Sequence, residues 1–147
     1  MLEKIMIIRP LNLFIILLTM YIFKLGLVNL FIENSALNSL NYFLFVSATI
    51  FITAAGYIIN DIYDIKSDSI NKKNSFSGNK LSIKTALTQY TIFNSLAILI
   101  ITYVSYTINQ IALTLIFILT IILLWLYSKV LKSTFLLGNL LVSGIIA

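Results

Sequence analysis

The sequence predicts an all-α protein, a polytopic transmembrane helical bundle with about four complete spans plus the start of a fifth. Composition is the first reason. Apolar residues make up 60% of the 147-residue chain and charged residues 10%, whereas an average soluble domain has about 45–50% and about 25%. So few charges could not cover a globular surface in water. The second reason is that the apolar residues gather into runs long enough to cross a bilayer, which takes about 20 residues. The third is that the basic residues fall almost wholly in alternate connections between those runs. A backbone inside a bilayer must satisfy its own hydrogen bonds, so the runs are helices despite their many β-branched residues.

The first run covers residues 7–32. Lys4 and Arg9 precede its apolar stretch 11–23 in the manner of a signal peptide, but Lys24 and Leu25 follow that stretch rather than a small-residue cleavage site, so it reads as a retained anchor that starts the first spanning helix. Pro10 suits the first turn of its helix. The second run, 40–59, follows a short polar connection at 33–39. A long connection, 60–82, holds most of the charge. The third run is 83–106 and the fourth, 111–126, is near the lower limit for a span. A tight turn at 107–110 joins them. A short basic connection, 128–134, leads to 135–147, which is apolar and uncapped. It reads as the start of a fifth helix, and the chain as the N-terminal portion of one membrane domain, truncated at its C-terminus.

With the N-terminus inside, Lys4, Arg9, Lys66, Lys72, Lys73, Lys80, Lys84, Lys129 and Lys132 all lie inside, and Lys24 alone lies outside. The positive-inside rule therefore places the N-terminus and the connections 60–82 and 128–134 in the cytoplasm. The high pI of about 9.5 follows from this topology and not from nucleic-acid binding, for which no basic stripe exists outside one connection. Cysteine and histidine are both absent, which removes disulfides, thiolate metal sites and the usual neutral-pH general base. Any chemistry runs on carboxylates, lysines, hydroxyls and amides.

Three of the five acidic residues, Asp61, Asp64 and Asp68, fall within eight positions, flanked by Asn60 and Asn71. At about 100° per residue these five share an arc of roughly 100° on a helix. Carboxylates at that spacing repel one another unless a cation sits between them. Mg2+ takes oxygen ligands, often one or two carboxylates with waters and substrate phosphates, so the face suits Mg2+ and a diphosphate, with Lys72, Lys73, Lys80 and Lys84 as candidates to neutralise phosphate oxygens. A solvated, charged loop is the plain alternative. A calcium loop of the EF-hand kind fits poorly, for lack of the Gly at its turn and the closing Glu.

Two further clusters carry polar groups. Lys129 and Lys132 precede Asn139, and Lys132 and Asn139 share a face if the helix is continuous. Topology alone could explain the lysines, and an interhelical hydrogen bond Asn139; as a polar group in the bilayer Asn139 is also a functional candidate. Arg9 and Asn12 stand at the start of the first helix, where Arg9 either snorkels to headgroups or meets an anionic substrate. Trp125 and Tyr127 suit an interfacial aromatic belt.

Together these residues resemble the UbiA family of intramembrane prenyltransferases. N-D-I-Y-D-I-K-S-D-S-I-N at 60–71 is similar to the family's first Asp-rich motif, Y-S-K-V-L-K-S-T-F-L-L-G-N at 127–139 to its Y-S-x-x-L-K…G-N segment, and R-P-L-N at 9–12 to the start of its first helix. The resemblance implies nine helices when complete and Mg2+-dependent transfer of a prenyl group from a prenyl diphosphate to a hydrophobic lipid or aromatic acceptor. It implies that Asp61, Asp64 and Asp68 hold the metal, that Asp61, Asp64, Lys132 and Tyr127 are catalytic, and that Asn60, Asp68, Asn71, Lys72, Arg9, Asn12 and Asn139 bind substrate. The R-P-x-N start and the S-G…S ending of the 60–82 connection lean toward prenylation of geranylgeranylglyceryl phosphate, with quinone-precursor and haem prenylation left open.

The sequence departs from the pattern twice. Lys72 is followed by Lys73, Asn74 and Ser75, where the family has a basic-Pro-x-basic stretch, and no Asp or Glu follows Asp68, where a second Asp-rich motif is expected. An inactive truncated remnant or a non-catalytic membrane protein is the alternative these departures leave open. A CDP-alcohol phosphotransferase, the other Asp-rich membrane enzyme, is disfavoured because Ile62, not Gly, follows Asp61 and no Ala-Arg pair follows.

Overall fold

The computed structural model describes residues 7–28, 38–70, 82–133 and 144. Helix α1 (Pro10–Phe23) begins with Pro10 in its first turn, where the missing N–H costs nothing. The Arg9 carbonyl accepts the Asn12 and Leu13 amides at 2.9 and 3.2 Å. The helix then widens into a π-helical turn, Lys24–Val28. Helix α2 (Ser39–Ile70) is capped by Asn38, whose Oδ1 accepts the Asn41 amide at 2.7 Å. Helix α3 (Ile83–Thr107) is capped by Ser82, whose Oγ accepts the Thr85 amide at 3.2 Å. These caps satisfy amides that the helix itself leaves open.

The expected tight turn follows α3. Asn109 adopts a left-handed conformation (φ 55°), its amide donates to Tyr106 O at 3.2 Å, and the Gln110 amide donates to Ser105 O at 2.9 Å. This is the Schellman arrangement, with Asn in the position usually held by Gly. Helix α4 (Ile111–Lys129) returns antiparallel to α3 and ends in a 3-10 turn, Leu131–Ser133.

Among the described residues three helices are long and apolar enough to cross a membrane, Ser39–Ile65, Ile83–Thr107 and Ile111–Lys129, with a shorter apolar helix at Pro10–Gly26. All the described elements are helical. The rest of the first expected run and the start of the fifth, apart from Gly144, lie outside the described residues. The second run differs from expectation. It does not end near Ile59 but continues as helix to Ile70, carrying the Asp-rich face with it. No Gly or Pro interrupts residues 57–70, and Asp61 and Asp64 are neutralised by cations from other elements, so their mutual repulsion does not melt the turn. At 1.5 Å per residue α2 is about 48 Å long, more than the roughly 30 Å hydrocarbon core, so its last turns project beyond the apolar layer.

The most extensive packing is between α2 and α3. Ala48, Ala54 and Ala55 on α2 and Ala86 and Ala97 on α3 are all buried, and small residues let helix backbones approach where no hydrophobic drive separates protein from lipid. One core cluster joins Ala48, Ile52, Ala97, Ile101, Val104 and Phe117. A second, nearer the polar end, joins Ile7, Ile58 and Ala86. The start of α1, the end of α2, the start of α3 and the end of α4 consequently share one end of the bundle.

Candidate diphosphate-binding site

Two carboxylates of α2 stand at that end, each paired with a cation from elsewhere in the chain. Arg9 Nη2 donates to Asp61 Oδ1 at 2.8 Å. Lys132 Nζ donates to Asp64 Oδ1 and, at 3.4 Å, to Asn60 Oδ1. Asn60 Nδ2 donates in turn to Asp64 Oδ2 at 2.9 Å, an i,i+4 contact along the helix. The short turn Leu131–Ser133 after α4 is what brings Lys132 over α2.

Arg9 reaches its carboxylate from a left-handed backbone, φ 51°, ψ 65°, which costs an L-residue about 1–2 kcal/mol and is further disfavoured before proline. The conformation sets the guanidinium 5.0 Å from the centre of the Tyr57 ring while it holds Asp61, so a cation–π contact and a charged hydrogen bond offset the strain. Asp61 is 16% exposed and Arg9 45%; the carboxylate is sheltered, while the guanidinium still meets solvent.

Beneath this cluster, between α2 and α4, opens a cavity of about 630 Å³. Arg9, Asn60, Tyr57, Tyr127 and Ser128 form its polar mouth. Its wall follows the helical repeat, with Thr49, Thr53 and Gly56 of α2 facing Ile116, Thr120 and Leu124 of α4. The wall is less polar than its composition. Thr49, Thr53, Thr120 and Ser128 each donate their hydroxyl to the carbonyl four residues earlier, at 2.9–3.0 Å, so their donors are engaged within their own helices. Gly56 lets α4 close in, since a Cβ there would stand 3.2 Å from Leu124 Cδ1.

Of the residues singled out in the sequence, Arg9, Asn60, Asp61, Asp64 and Lys132 come together, and Tyr127 lines the same mouth. Asn12 is exposed on α1 and is not among the described lining residues. Asp68 continues the Asp-rich face of α2, but its side chain, like Asn71, Lys72 and Asn139, lies outside the described residues. No group of three acidic residues suited to a metal is found among the described residues. Sequence reasoning missed Tyr57 and the hydroxyl-lined wall. Their 49/53/57 and 116/120/124/128 spacings are those of one helix face, but every spanning helix has such faces and the spacing does not say which one lines a cavity.

Three apolar spans with ion pairs gathered at one end over an apolar cavity define an integral membrane protein of the polar-mouthed helical-bundle class. The chain belongs to the UbiA prenyltransferase family, whose model matches residues 12–147. It is also similar to a digeranylgeranylglyceryl phosphate synthase of Sulfurisphaera tokodaii, 36% identical over 93 residues, which is 63% of this chain and 32% of that protein. The chain thus spans about a third of the length of that curated relative. No solved structure matches it.

Proposed function

We propose that Asn60, Asp61, Asp64, Arg9 and Lys132 form the diphosphate end of a prenyl-donor site, and that the protein transfers a prenyl group from a prenyl diphosphate to a hydrophobic acceptor. The observation that carries this reading is the pairing of two helix-borne carboxylates with two cations at the mouth of an apolar cavity. A diphosphate presents oxygens for the cations, and an isoprenoid tail presents only hydrocarbon for the cavity.

The donor set fits Mg2+. Asp61, Asp64 and the Asn60 amide offer hard oxygens on one helix face, with Asp68 a turn further along it. Mg2+ held there would neutralise charge developing on the leaving diphosphate. Arg9 and Lys132 would bind phosphate oxygens directly, the guanidinium through its planar fork and the ammonium as a point charge. Tyr127 stands where its hydroxyl can join them. The apolar wall keeps water from the allylic carbon once the carbon–oxygen bond loosens. Asn71, Lys72 and Asn139 complete the proposed substrate contacts, with the polar end in the cytoplasm. The R-P-x-N start and the printed name of the curated relative both favour a geranylgeranylglyceryl phosphate-type acceptor over an aromatic one.

The test is binding of a prenyl diphosphate to the protein in lipid nanodiscs with and without Mg2+, together with release of diphosphate on adding acceptor. Asp61→Ala and Asp64→Ala should each abolish the Mg2+-dependent part. Undiminished Mg2+-dependent binding in either variant would refute the metal assignment.

A further inference from the structure

At the end of the cavity away from the polar mouth, a row of aromatic rings crosses three helices. Phe117 of α4 meets Phe45 of α2 edge-on at 5.8 Å between ring centres, Phe45 lies 6.3 Å from Tyr42, and Tyr42 meets Tyr21 of α1 edge-on at 5.7 Å. Phe45 and Phe117 line the cavity, and Met20 lies beside them. The two tyrosines stand behind. The row is tied at its far end, where the Tyr42 hydroxyl donates to the Met20 carbonyl at 2.5 Å and the Lys24 ammonium sits 4.3 Å over the Tyr42 ring. Such ring pairs prefer these edge-on geometries, and the polar anchors at Tyr42 and Lys24 restrain the rings against tilting.

We propose that this aromatic row is the stop that limits the length of the isoprenoid tail. The inference rests on the donor-site reading above and adds a specificity determinant to it. From Asn60 at the mouth to Phe45 at the floor, α2 rises about 22 Å. An extended isoprene unit contributes four bonds of about 1.5 Å and advances about 5 Å. The wall therefore accommodates about four units, a tail of about twenty carbons, before it meets Phe45 and Phe117. A fifth unit would have to displace a ring held on both sides. The wall of α2 between the mouth and the floor is formed by Thr49, Ile52, Thr53 and Gly56, none of them aromatic, so the first ring of α2 that a growing tail meets below Tyr57 is Phe45.

The experiment measures affinity for diphosphates carrying 10, 15, 20 and 25 carbons in nanodiscs with Mg2+, for the unmodified protein, Phe45→Ala and Thr53→Phe. Binding of the unmodified protein should tighten by roughly tenfold per added unit as apolar surface is buried, and should cease to tighten after 20 carbons. Phe45→Ala should carry the gain on to 25 carbons. Thr53→Phe, placed about 10 Å below the mouth, should end it at 10. Binding of inorganic diphosphate with Mg2+, which touches the mouth and not the wall, reports in each protein whether the mouth and the fold are intact. Identical length profiles in the three proteins would overturn the stop while leaving the donor site standing. Absence of binding at every length in the unmodified protein would overturn the donor site and the stop with it.

Discussion

Arg9 and Asp61, 52 positions apart in the chain, are joined by a 2.8 Å hydrogen bond between charged groups, and Arg9 leaves the ordinary backbone regions to make it. The guanidinium lies against Tyr57 at the same time. A lysine has no planar fork with which to do both. We expect Arg9→Lys to weaken prenyl diphosphate binding at least tenfold. Because Arg9 is 45% exposed, its ion pair contributes no more than about 1 kcal/mol to folding, so unfolding in detergent should shift little. Titration of the two proteins with a prenyl diphosphate, beside a denaturation curve, checks both halves. A variant that binds normally would show that Arg9 only anchors the chain at the interface.

Lys132 bridges Asp64 and Asn60 from the turn after α4, and in the proposed site it competes with Mg2+ for the carboxylate while attracting the phosphate. Lys132→Met keeps an unbranched side chain and removes the charge. Two effects of opposite sign follow. Half-saturation by Mg2+ should move to lower concentration, and affinity for the diphosphate should fall at least tenfold. Titrations with Mg2+ and with diphosphate separate the two. If both weaken together, Lys132 holds the fold and not the ligand.

Thr114 donates to Ser105 at 2.8 Å across the hairpin of α3 and α4, and both residues are buried. Thr114→Val strands the serine hydroxyl in an apolar setting. The expected loss is about 1 kcal/mol, within the range of roughly 0.6–2 kcal/mol found for interhelical hydrogen bonds in membranes. Ser105→Ala combined with Thr114→Val should be less destabilising than the sum of the single changes. Unfolding in mixed micelles of the four proteins measures the coupling, and strict additivity would mean that the pair contributes nothing specific.

The absence of native cysteine makes topology directly measurable. A cysteine at Ser77, in the basic connection, should react with an impermeant thiol reagent only after cells are opened. One at Gln110, in the turn between α3 and α4, should react in intact cells. The reverse pattern would invert the proposed orientation and put the proposed diphosphate site on the outer face.

Much of the candidate site was legible because its residue types are expensive where they lie. Three aspartates on one helix face next to an apolar run are conspicuous from charge repulsion alone. Pro10 marks a helix start, and the polar break at 107–110 marks a tight turn. Tyr57 was not legible, since an aromatic in an apolar run has many uses and only its contact with Arg9 distinguishes it. Thr49 and Thr53 were hidden for a related reason. Their hydroxyls return to their own helix, so nothing local marks them as a cavity wall. The end of α2 was read too early, because charge after an apolar run suggests a loop when the neutralising partners are not in view.

The sequence by itself determined that this is a helical membrane protein, where its spans fall, and that one of them carries an acidic face. Those properties follow from local hydropathy and from the obligation of a backbone in lipid to bond to itself. Only the tertiary structure decided which cation meets which carboxylate, that α2 stays helical through its aspartates, and that Phe45 and Phe117 line one cavity. These depend on contacts between helices far apart in the chain, set by how small residues let α2 and α3 approach and by where the turn after α4 places Lys132.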